Sequence, residues 1–380
     1  VAALGVRLTV LAGPTIPLPL PAPITARLRS AQVTESDEER SAFTLTFDAG
    51  RSGPLAGLDT PLLTGSPVAV GARVVLLVTF GALPTVLMDG IVTTLELTPG
   101  DAPGSATLTA TGEDVSVLLD REERDGEWPA LDDYPQALAI LAPYAAQGIV
   151  PMVTPPADMD PPLPVERVPT QHETDLRHLV TLAERHGYVA YVIPGPVPGT
   201  SRFYWGPPVR IGLPQPALSV DLGPVTNVVS PPSFRQELMT PVTVDGSVQD
   251  PATGATVPVT AKASLRPPLA ALPLWAVHAG DVRKRRLRES GTTTVSAFAR
   301  AQAQVDRAAD AVVGDGELDG ARYGAVLRPR GLVGVRGAGW SHDGIWYVRR
   351  VEHDLSPGAY RQKFTLAREG YGSTVPAVLV

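Results

Sequence analysis

Three of the chain's six histidines fall within QHETDLRHLVTLAERHGYVAYVI (Gln171–Ile193), beside Glu173, Asp175 and Glu184. Such a set is the raw material of a metal site or an acid–base pair, and a metal-dependent hydrolase using His172, His178 and Glu184 is the chemistry it suggests. The spacing argues against it. On a helix advancing about 100° per residue, His172 and His178 lie about 240° apart, and His178 and His186 about 80° apart with a rise of about 12 Å between them. HETDLRH places its histidines six apart, so the i, i+4 pair of a HExxH helix is missing. Leu176, Leu179, Val180, Leu182 and Ala183 instead form the apolar stripe of a helix that Thr174 or Asp175 caps and Gly187 ends.

Other sets of reactive residue types fail on their own terms. Asp315, Glu317, Asp319 and Gly320 match D-x-E-x-D-G of a calcium loop, but Val326 stands where the bidentate glutamate belongs, which leaves an acidic turn after a helix. GVRGAG (Gly334–Gly339) lacks the dinucleotide order and precedes a strand, none of Lys262, Lys284 and Lys363 follows a glycine-rich loop, and G-x-S-x-G is absent. The acidic run Asp120, Glu122, Glu123, Asp125, Glu127, Asp132 and Asp133 reads as a solvated connection, with a glycosidase pair as its reactive alternative. Arg283, Lys284, Arg285, Arg286 and Arg288 read as a basic loop or subunit contact. No catalytic, cofactor-binding or metal-binding residue is assigned.

The elements that carry these residues follow from composition and punctuation. Forty prolines in 380 residues favour short strands and long connections over long helices. A net charge of −7 disfavours a general nucleic-acid role, and the lack of cysteine excludes disulfides and suits a reducing compartment. No apolar run reaches membrane length, and the proline-rich start, numbered from Val1, lacks an export signal. After that arm (1–24), residues 25–120 read as an antiparallel β-barrel or sandwich, with Phe43, Leu45 and Phe47 alternating against threonines. Residues 121–220 read as an α+β insertion with helices in YPQALAILAPYAAQG and TDLRHLVTLAERHG. Residues 221–380 return to β, with a hairpin around DPATGA and one amphipathic helix, about 292–313, whose stripe is Val295, Phe298, Val305 and Val312.

The two β regions echo each other. DGIVTTLELTPG (Asp89–Gly100) followed by SATLTATGED resembles DGIWYVRRVEHDLSPG (Asp343–Gly358) followed by QKFTLAREG. Both run from Asp-Gly-Ile through a strand with a glutamate to a Thr/Ser-Pro-Gly turn and back, which makes Val92–Leu97 and Trp346–Val351 equivalent strands of two similar domains.

These segments resemble the phage late control protein D family, the tail-hub proteins that include the N-terminal hub part of VgrG. The resemblance rests on ETDLRHLVTLAERHGYVAYV, on LMDGIVTTLELTPG with ATLTATGEDVSVLLDR, and on DGIWYVRRVEHDLSPGAYRQKFTLAREG, and spans residues 25–370. It implies a mainly β fold with an α+β insertion, in which two tail-tube-like antiparallel barrels flank a small α/β module. It also implies a non-enzymatic role: a homotrimer forming a pseudo-sixfold ring between a hexameric inner tube and a trimeric spike. Other baseplate proteins, and tape measure or cargo in the lumen, are the further partners. No OB barrel or β-helix follows GYGSTVPAVLV, so the spike is expected to be a separate protein. Assembly is expected in the bacterial cytoplasm, within a contractile phage tail or phage-like injection system. The competing reading is a secreted β-rich carbohydrate-binding adhesin presenting Trp205, Trp275 and Trp340.

Overall fold

The computed structural model describes the chain except residues 1–4, 51–65, 102–104, 158, 160–164, 166–167, 251–253, 289–292 and 376–380. It is mainly antiparallel β. The first half contains β1 (Val6–Gly13), β2 (Leu28–Ser36), β3 (Ala42–Asp48), β4 (Arg73–Phe80), β5 (Leu83–Thr98) and β6 (Thr107–Asp114). The alternation read in β3 points Phe43, Leu45 and Phe47 into a core with Val33, Val74, Leu76, Leu108 and Ala110. Residues read as an N-terminal arm contribute a strand here, since β1 pairs along its length with β4.

The middle unit has β7 (Glu123–Glu127), α1 (Asp133–Leu141), β8 (Ile149–Val153), β9 (Thr170–Thr174), α2 (Asp175–Arg185), β10 (Val189–Pro194) and β11 (Ser201–Gly206). β10, β11 and β8 form one sheet, and Leu141, Leu179 and Leu182 pack on it around the fully buried Trp205 of β11. The acidic run is therefore more than a solvated connection: Glu123–Glu127 is a strand paired with β9.

The remainder comprises β12 (Gln215–Ser219), β13 (Val228–Gln236), β14 (Val242–Gln249), β15 (Thr256–Ala261), β16 (Arg283–Arg286), α3 (Thr294–Arg307), β17 (Val312–Asp319), β18 (Leu332–Arg336), β19 (Gly344–Ser356) and β20 (Ala359–Arg368). Three sequence expectations are corrected here. The basic run is not a loop, because Arg283–Arg286 pairs in parallel with Val242–Asp245. α3 ends at Arg307 and buries Ala297, Ala301, Ala303 and Val305, while Val295 and Phe298 are exposed and Val312 belongs to a strand. Asp315, Glu317 and Asp319 lie on β17 rather than in a turn. The β14–β15 hairpin read around DPATGA is present, and with β16 and α3 it encloses its own core, inserted between β13 and β17.

Without that insertion the two halves share one strand order. The first runs β2-β3-β6-β5-β4-β1 and the second β13-β17-β20-β19-β18-β12, so strands taken in chain order occupy the same places. The final pair differs: β1 runs antiparallel to β4, whereas β12 runs parallel to β18. The echoed hairpins also share a defect, one extra residue in the first strand, at Thr93 in β5 and Arg349 in β19. Each half also packs an aromatic ring over a glycine of the neighbouring strand. Phe43 covers Gly112 in the first half, and Phe364 covers Gly316 in the second, where an added Cβ would stand 2.4 and 2.5 Å from the ring.

Candidate functional site

The opening cluster separates into three unrelated contacts. His172 lies on β9, exposed, with Nδ1 2.8 Å from Asp125. His178, on the inner face of α2, meets Glu173 and Gln136 at 3.3 Å each, and burial lowers its pKa against the pull of Glu173. His186 reaches Asp133 at 3.0 Å. Glu184 points outward to Arg307 at 3.6 Å. Thr174 is the cap of α2, its Oγ1 accepting from the Arg177 N–H, and Gly187 adopts φ +66° just past the helix.

Near α2, a cavity of about 350 Å³ is lined by Arg40, Asp114, Asp120, Glu173 and Arg177. Three of its carboxylates are engaged structurally: Asp114 accepts from the Ser41 and Ser116 N–H groups, Asp120 accepts from Arg40 and Thr174, and Glu173 meets His178. The aromatic platform of the adhesin reading is not assembled. Trp205 is fully buried and donates to the Leu179 carbonyl at 3.0 Å, Trp275 is half-buried, and Trp340 is 60% exposed.

The polar chemistry of the chain concentrates instead where its halves meet. β2 pairs antiparallel with β19 over Ala31–Ser36 and Arg350–Leu355. Inside this seam Glu35 is buried; burial pushes its pKa up, yet Arg328 and a hydrogen bond from His353 hold it down at about 2. His353 is fully buried and its pKa is lowered by burial, so the neutral ring donates Nε2–H to Glu35 at 3.3 Å while Nδ1 accepts from the Tyr360 hydroxyl at 2.9 Å. Arg328 ties the halves again by donating to Glu35 and to the Val86 and Leu87 carbonyls of β5. Arg330 donates to the Ser36 and Val192 carbonyls and lies 4.0 Å over the Tyr191 ring, which adds the middle unit. Asp89, the aspartate of the first echo, accepts both Arg73 donors at 2.8 Å and Ser201 Oγ at 3.1 Å. Arg328 and Arg330 were not singled out from sequence, because their partners lie far along the chain, and Asp89 was read only as the first residue of the echoed hairpin.

The charged groups named here are paired, Glu35, Arg328, Arg330 and Asp89 across joins between units, and Glu35, Arg328 and Arg330 also line a cavity of about 210 Å³ shared with Tyr191 and Tyr204. The seam fixes one half against the other. Among the strand edges it leaves without strand partners in the described residues are β13, at one end of the sheet, and the Thr94–Thr98 edge of β5, which extends beyond β4.

Among solved structures the whole chain is similar to phage tail proteins. A tail protein from Neisseria meningitidis MC58 matches over 96% of this chain and 97% of its own, with 14% identity and a TM-score of 0.63. The 43 kDa tail protein of prophage MuSo2 from Shewanella oneidensis matches over 96% and 99%, with 15% identity and a TM-score of 0.66. An E. coli type VI secretion component, itself described as similar to the T4 tail proteins gp27 and gp5, matches over 99% and 80%, with 11% identity and a TM-score of 0.52. No protein-family model matches the sequence, and no curated protein matches it significantly. At these identities the likeness defines the class by fold, and the chain has the tail-protein fold found in phage tails and in type VI secretion and VgrG-related baseplates.

Proposed function

We propose that this chain is a structural tail-hub subunit, three copies of which close into a pseudo-sixfold ring joining a hexameric inner tube to a trimeric spike in a contractile tail or injection particle. The observation that carries this reading is the repeated strand order, β2-β3-β6-β5-β4-β1 and β13-β17-β20-β19-β18-β12. Two equivalent halves per chain give three copies six equivalent units, the number needed to meet a sixfold tube, while the chain itself repeats three times, as a spike requires. The likeness to phage tail proteins along nearly the full chain supports it.

In this proposal the division at residues 24, 120 and 220 separates two hub domains and an inserted one, with Val6–Gly13 adding a strand to the first. The role is non-enzymatic, with assembly in the bacterial cytoplasm, contacts to other baseplate proteins, and tape measure or cargo in the lumen. Light scattering after size exclusion is expected to give three times the chain mass of 39.9 kDa. A monomer that binds neither tube nor spike protein contradicts the proposal.

A further inference from the structure

If the halves are equivalent, the seam inside one chain specifies what the outer edges meet. Within the chain, second-place strand β2 of the first half pairs with fifth-place strand β19 of the second. The same pairing with the halves exchanged would join β13 to β5, and both of these edges lack strand partners among the described residues. One chain cannot make this contact with itself while β2 and β19 are joined, because β13 and β5 lie in opposite halves on either side of that seam. A second copy supplies it.

The register follows from the shared landmarks. Superimposing the extra residues Thr93 and Arg349 sets Glu96 on Glu352 and Leu97 on His353. Through β6 and β20, and then β3 and β17, it sets Phe234 on Val33 and Arg235 on Thr34. In the inner seam Val33 faces His353 and Thr34 faces Glu352. We propose that Ser233–Gln236 of β13 pairs antiparallel with Leu95–Thr98 of β5 in a second copy of this chain, with Phe234 opposite Leu97 and Arg235 opposite Glu96.

The side chains fit that register. Phe234 is half-buried and packs against the second core, Leu97 is exposed on the face that Leu108 shares, and their pairing continues the apolar interior from subunit to subunit. Arg235 and Glu96, exposed on the opposite face, bring opposite charges together across the strands. Pro231 and Pro232 precede this segment beside a register shift, and lacking N–H groups they prevent a longer or slipped ladder. The positions of Glu35 and His353 become Gln236 and Leu97, so the outer seam forms without burying a carboxylate. The inference rests on the trimeric reading above and adds its contact surface.

The chain has no cysteine, so paired substitutions report the register directly. Arg235→Cys is combined with Glu96→Cys, and separately with Thr94→Cys or Thr98→Cys, which sample a slip of two residues either way. Thr34→Cys with Glu352→Cys is the control for the inner seam and is expected to cross-link within one chain. Treated with a short bis-maleimide, the Arg235/Glu96 variant is expected to give covalent dimer and trimer several-fold faster than either slipped pair, and Glu96→Lys in the otherwise native chain is expected to shift the trimer toward monomer. A trimer by light scattering in which neither occurs overturns this seam and leaves the trimeric reading standing. A chain that stays monomeric, alone and with tube and spike proteins, overturns both.

Discussion

Glu35 shows how one buried carboxylate can tie the two halves of a chain together. Despite the upward push of burial, Arg328 and His353 hold its carboxyl down at about 2 in the folded chain, against an ordinary value of 4.5. The folded state therefore binds fewer protons than the unfolded state between those values, and the stability this group contributes is complete above pH 4.5 and is lost as pH falls toward 2. Glu35→Gln is expected to lower the unfolding free energy by about 3 kcal/mol at neutral pH, because Arg328 loses its buried partner, and to flatten the acid loss seen in urea titrations. Asp37 behaves oppositely. Burial raises its carboxyl to about 6 against the pull of Arg349, so its ionisation opposes folding fully above that pH and the penalty disappears as pH falls through 6 toward 3.8. Asp37→Asn is expected to raise the urea midpoint at pH 7, by about 1–3 kcal/mol in free energy, with the gain vanishing near pH 4. Helix geometry in the sequence already separated His178 from His186, but the seam around Glu35 was not legible there. Its partners Arg328 and His353 stand nearly a whole chain length away, and no local spacing encodes that contact.

The elements divide between those that local pattern specifies and those that packing decides. α2 was readable from its stripe, its threonine cap and its glycine stop, and replacing the cap, Thr174→Ala, is expected to cost about 1 kcal/mol in thermal or urea unfolding. α3 was misread because its bulky apolar residues were taken as the buried face. The structure buries its alanines instead, since the helix lies close against the β14–β15 hairpin, where only small side chains fit. Ala301→Leu is accordingly expected to destabilise by about 1–3 kcal/mol through overpacking, whereas Val295→Ser, at a position 66% exposed, is expected to change stability by no more than about 0.5 kcal/mol. The basic strand β16 follows the same logic, as arginines carry little intrinsic strand preference and pairing with β14 overrides it. Its four exposed basic side chains at the sheet edge also discourage a further strand from adding there.

At the scale of the molecule, the mainly β character with an α+β middle was legible in proline usage, alternation and punctuation, and the duplication was legible in a single hairpin. The remaining strands of the repeat could not be aligned by eye. With the shared extra residues superimposed, Phe43 opposite Gly112 corresponds to Gly314 opposite Leu366, and Leu45 opposite Ala110 to Gly316 opposite Phe364, so matched places hold unlike residues, and the β14–α3 unit separates the second and third strands of the second half. Strand order retained what the residues lost. In the proposed ring, two matched halves, one internal seam and a pair of complementary open edges let one chain repeat around a closed axis. The central claim is tested most directly by electron microscopy of the assembled hub with its spike, viewed down the axis. The account expects rings of three chains whose rotational power is sixfold at low resolution and resolves to threefold at higher resolution. Rings of another chain number, or a hub that enters the particle as a single copy, would contradict it.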